Sequence, residues 1–123
     1  MSTPPPWITP DDVAAYLDLP ATAATEDDNL ALSTAAVKAA VERRRSDLWT
    51  GGDPTAAPPV PDVFTPGEDV HAGSVRWAAL MYQARNAPSG FAGYGDETAL
   101  FDSLGANRAE IMRLIGWRRP VAL

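Results

Sequence analysis

The chain has 123 residues, room for one domain that buries roughly two-thirds of its unfolded surface. A formal net charge of −6 argues against a body that coats nucleic acid by neutralising phosphates. The absence of cysteine excludes a disulfide framework and a thiolate metal site.

The opening stretch MSTPPPWITP has neither a basic nor a long apolar region, so no secretory signal is expected. Residues 1–8 read as an extended segment leading into the first helix. That helix is expected from about Pro10 to Asp18, with Thr9 as N-cap, Pro10 at the first helical position and Asp12 completing a capping box. Val13, Tyr16 and Leu17 share one face, and Pro20 stops the helix.

A second cap at Thr25 starts the longest expected helix, about residues 26–49. Glu26, Asp27 and Asp28 fill its first turn and Arg43, Arg44 and Arg45 its last, both signs suiting the helix dipole. Leu30, Thr34, Val37, Val41 and Leu48 recur at helical spacing.

The following stretch, TGGDPTAAPPVPDVFTPGED, carries adjacent glycines and repeated prolines, which rule out a helix. It reads as a long loop with a short extended piece around residues 60–64. A third helix opens at Glu68 and Asp69 and runs to Pro88. Val70, Trp77, Leu80, Met81 and Ala84 form its apolar face, widened by Val75, Ala78 and Tyr82, so it reads as the buried helix. PSGFAGYG is a second loop. A short helical turn follows, then a helix from about Asn107 to Ile115 with Ile111, Leu114 and Ile115 inward and Gly116 as C-cap. The class is all-α: a small four-helix domain (1–116) with long Pro/Gly-rich loops, then an extended C-terminal arm (117–123).

Catalytic chemistry is not legible. His71, the single histidine, lies in a helix first turn without an activated nucleophile beside it. The acidic pairs sit at helix starts, where capping and dipole complementarity account for them. No P-loop, dinucleotide fingerprint or EF-hand spacing occurs, and no cofactor or metal is expected. Arg43–Arg45 close a helix and offer pairing with acidic groups of a neighbouring subunit. Trp7 and Trp117 lie in terminal segments, and Trp beside Arg is a pairing enriched at interfaces.

In order and spacing, these features resemble the head–tail connector, or adaptor, proteins of long-tailed bacteriophages. The residues are Ile8–Leu17 (ITPDDVAAYL), the acidic-to-basic helix Glu26–Trp49, the buried Val75–Tyr82, and the finish Leu114–Ile115–Gly116–Trp117–Arg118–Arg119–Pro120. NAPSGFAGYGDETAL and the proline loop at 51–67 are longer than in the plainest members.

The resemblance implies a non-enzymatic virion protein of the neck, made in the host cytoplasm. It would form a roughly twelvefold homo-oligomeric ring. The ring would sit between the portal protein and a downstream neck or tail-completion protein, with no membrane involved. DNA would pass its lumen without sequence-specific binding, and an acidic wall would keep phosphate from sticking. Trp117, Arg118, Arg119, Pro120, Val121 and Leu123 would contact the portal, the arm being loose in the isolated subunit. Glu26, Asp27, Arg43, Arg44, Arg45 and Trp7 would lie between subunits. The alternative is a small helical DNA-binding phage protein of the regulator or terminase-small-subunit type. That class needs a basic recognition helix, whereas Arg43–Arg45 lead into a Gly/Pro loop.

Overall fold

The computed structural model describes residues 6–86 and 107–116. Its order is α1 (Pro10–Tyr16), α2 (Ala23–Glu26), α3 (Asp28–Arg44), a 3-10 turn (Ser46–Leu48), β1 (Trp49–Thr50), β2 (Val63–Phe64), α4 (Glu68–Asn86) and α5 (Arg108–Ile115). The chain is mostly α, as the sequence implies, with a small sheet added.

The start of α1 follows the local signals. Thr9 accepts from the Asp12 amide and the Asp12 carboxylate accepts from the Thr9 amide, a complete capping box. Ile8 before the cap and Val13 in the helix are both buried, as a hydrophobic staple requires. The helix ends at Tyr16 rather than Asp18. Leu19 N–H reaches the Ala14 carbonyl (2.8 Å) and Asp18 N–H that of Ala15 (3.2 Å), a Schellman closure with Asp18 at φ 57°.

The expected single helix over 26–49 is divided among four elements: the end of α2, then α3, the 3-10 turn and the start of β1. Thr25 is not its cap, because Thr25 lies inside α2 and its hydroxyl donates to the Thr22 carbonyl (3.1 Å). Asp27 leaves helical geometry (φ −98°, ψ 103°), and its carboxylate accepts from the amides of Asn29 (3.0 Å) and Leu30 (3.3 Å). A carboxylate at a helix N-terminus gains both hydrogen bonding and dipole energy, more than a hydroxyl offers. At the other end Arg45 leaves the helix (φ −104°, ψ 50°), and Trp49 becomes a strand residue.

β1 and β2 pair antiparallel, Trp49 opposite Phe64 and Thr50 opposite Val63. The extended piece expected around 60–64 is therefore β2, and its partner comes from what reads as a helix end. Asp53 and Val60 continue the hairpin through an isolated bridge.

The core lies where α4 meets α1, α3 and α5. Trp77 and Met81 of α4, Val37 and Val41 of α3, and Ile111 and Ile115 of α5 are fully buried. Val75 and Ala78 are buried as expected, while Leu80 and Tyr82 are half-buried against the core. Leu114, expected inward, is also only half-buried. The close approach of α4 to α5 depends on Gly73, where a β-carbon would come within 2.9 Å of both Ile115 Cγ1 and Leu114 Cβ. The expected turn between residues 96 and 105 lies outside the described residues.

Candidate functional site

The residues singled out for inter-subunit contact do not form one cluster. Glu26 is exposed at the end of α2, and Asp27 caps α3. Arg43 and Arg44 occupy the last turn of α3, a full helix length away. Seventeen residues at ~1.5 Å each separate these ends by about 25 Å. The long helix thus presents an acidic and a basic end, as its sequence implies.

Asp27, Trp7 and Arg45 make specific contacts within the chain. Asp27 accepts a hydrogen bond from the Tyr82 hydroxyl besides its two amide contacts, which ties the start of α3 to α4. Trp7 is half-buried, its ring 5.0 Å from that of Phe64, and its Nε1–H donates to Glu42 Oε1 (3.1 Å). Trp49 packs edge-on to the same phenyl ring at 5.4 Å, and its Nε1–H donates to the Glu42 carbonyl (3.3 Å). Glu42, which also pairs with Lys38 Nζ (2.9 Å), joins the N-terminal segment, α3 and the hairpin.

Arg45 has the most specific environment. Nε and Nη2 grip both oxygens of Asp47, each at 3.0 Å. Nη1 donates to the carbonyl of Ile115 (2.7 Å), one of the helix-end acceptors that have no partner within α5. The Asp47 carboxylate holds the guanidinium pKa up, and the guanidinium holds that of Asp47 below the usual carboxylate range. Gly116, with φ 77°, lies against the same guanidinium, so a β-carbon there would collide with Nη1. The left-handed backbone favours glycine at this position, and a side chain there would also push the Arg45 guanidinium aside.

His71 Nε2 lies 3.3 Å from Asp12 Oδ2, the oxygen that closes the capping box of α1. The contact fastens the start of α4 to the start of α1. On the far side Arg76 grips Glu110 through both guanidinium nitrogens (2.7 and 3.3 Å), which raises the Arg76 pKa and lowers that of Glu110. Asp12, Asp27, Asp47 and Glu110 thus lie in caps and pairs near separate helix ends. Among the described residues no three His, Asp or Glu side chains come together as a metal site, and no helix is long and apolar enough to cross a membrane.

Phe64, Glu42, Tyr82 and the role of Arg45 were not legible beforehand, since each acts through a partner distant in sequence. The glycine after α5 was the one usable signal, marking where a helix ends and a segment departs. Trp117, Arg118, Arg119, Pro120, Val121 and Leu123 lie outside the described residues. The chain matches no protein-family model, no curated protein and no solved structure.

Proposed function

We propose that the protein is a structural component of a tailed-phage neck, a head–tail connector that assembles as a ring between portal and tail. The observation that carries this reading is the order of signals along the chain. It runs from the ITPDDVAAYL capping-box helix, through a long helix acidic at its start and basic at its end, to the Leu114–Pro120 finish. Two features of the fold support it. The acidic and basic ends of α3 stand about 25 Å apart, an arrangement suited to head-to-tail pairing of successive subunits around a closed ring. α5 ends at Gly116, directly after the Ile115 carbonyl that Arg45 holds, which gives a following arm of Trp, Arg and Pro a defined point of departure.

In this reading the arm carries the partner contact. Trp117 supplies a large apolar face, and Arg118 and Arg119 supply forked donors for partner carboxylates. Pro120 lacks an amide donor and favours an extended path. The assembled subunits leave DNA free to pass, and the role needs no cofactor or enzymatic step.

The test is electron microscopy of the purified chain, alone and with the portal protein of the same phage, using full-length protein and a truncation after Gly116. Full-length protein should form rings seated on the portal. The truncation should keep its helical circular dichroism and fail to attach. Attachment by the truncated chain would remove the arm from the mechanism, and a chain that never forms rings would overturn the connector reading.

A further inference from the structure

The side of α3 that faces away from the core has an unusual composition. Leu30, Val37, Ala40 and Val41 are buried beneath the helix, while Asp28, Leu32, Ala35, Ala39 and Arg43 are exposed on the opposite side. Steps of three and four residues keep these five in one narrow stripe. Its middle is apolar, with Leu32 50% exposed, and its two ends carry opposite charges.

The spacing along the stripe is complementary to itself. Let a second α3 lie antiparallel across it, centred where Ala35 meets Ala36. Leu32 of each copy then falls on Ala39 of the other, a large side chain over a small one. Asp28 of each copy falls on Arg43 of the other, and Ala35 on Ala36. Small side chains at the centre let the axes approach to about 8 Å, the close end of helix packing. One two-fold axis therefore satisfies the apolar and the charged pairings together, and makes each of them twice. A parallel pair would set Arg43 against Arg43 and Asp28 against Asp28, with like ends of the helix dipoles adjacent.

We infer that the outer face of α3 is a dimerisation surface, and that its occupant is a second, antiparallel copy of the same helix. The Leu32 contacts supply most of the attraction, because exposed ion pairs contribute little net energy. The Asp28–Arg43 pairs select orientation and register. A single pair of seventeen-residue helices is a small interface, so the dimer exchanges with monomer as concentration changes. The contact closes on itself and differs from the head-to-tail pairing of a ring, which has to open it to engage the ends of α3. It does not rest on the connector reading.

Sedimentation equilibrium of the full chain, from micromolar to millimolar, should show monomer and dimer in exchange. Leu32→Glu should abolish the dimer. Asp28→Arg should weaken it several-fold by setting arginine against Arg43 twice, and Asp28→Arg/Arg43→Asp should recover it. These positions are exposed, so helical circular dichroism should be unchanged. The lack of native cysteine lets disulfides report the register. Chains carrying Leu32→Cys and Ala39→Cys, mixed and oxidised, should join to each other. Like chains should not join, because the two copies of residue 32 stand about 10 Å apart along the axis, beyond the reach of a disulfide. A monomer at every concentration, a dimer indifferent to Leu32→Glu, or disulfides between like chains would overturn the inference. A dimer that passes these tests yet forms no ring with the portal would sink the connector reading and leave this one standing.

Discussion

Asp18 holds a left-handed backbone position (φ 57°) that closes α1, a place where glycine has no steric penalty. Asp18→Gly is expected to raise stability by a few tenths to about 1 kcal/mol, since the relief of left-handed strain exceeds the entropy glycine adds to the unfolded chain. A higher urea midpoint at unchanged m would show it. Gly116→Ala is the converse case, combining φ 77° with a collision against the Arg45 guanidinium. A loss of about 1–2 kcal/mol is expected in the same measurement. Ser74 differs again: its hydroxyl is fully buried with no hydrogen-bond partner among the described residues. Ser74→Ala removes that desolvation cost and should stabilise the fold by about 1 kcal/mol. A decrease would mean that the hydroxyl has an acceptor.

Among the elements, α5 depends most on contacts beyond itself. Its eight residues are too few to form a stable helix alone. It is held by the apolar seam at Gly73, by the Arg76–Glu110 pair and by Arg45 at its last carbonyl. Glu110 and Asp47 both titrate below their ordinary values because of their arginine partners. A carboxylate with a depressed folded pKa adds stability above its unfolded pKa and loses it as pH falls through the folded one. Thermal stability should therefore decline as acid passes below the usual carboxylate range, around pH 4. Glu110→Gln should flatten that decline, because glutamine cannot titrate. Equal acid sensitivity in wild type and variant would show that the pair contributes nothing, as many solvent-exposed pairs do.

At the scale of the whole molecule, the acidic and basic ends of α3 are the groups to reverse. In the connector reading, Arg44→Glu should impair ring formation more in low salt than in high salt, since exposed charges are screened over about 10 Å at ordinary ionic strength. Sedimentation velocity measures this directly. An oligomer distribution unchanged when Arg43, Arg44 and Arg45 are all reversed would remove α3 from the interface. Reversal of Arg45 also frees the last carbonyl of α5, because the same side chain caps that helix. In the same reading, His71→Ala should leave assembly intact. A modest loss of stability is expected, from the missing contact to Asp12.

The sequence by itself determined the helical class, the capping box at Thr9 and Asp12, the buried face of α4 and the glycine that ends α5. Each of these rests on interactions three or four residues apart, so local chemistry is enough to specify it. Only the tertiary structure decided between Thr25 and Asp27 as the cap of α3. Both are competent locally, and the Asp27 carboxylate is also held by Tyr82, 55 residues away. It likewise drew Trp49 out of the helix, because a strand there pairs with Val63–Phe64 and packs against Phe64. Arg45 reads in sequence as one of three equivalent basic residues. It becomes distinct because the packing of α5 on α4 brings a helix-end carbonyl within its reach, and no local pattern records where the end of another helix will lie.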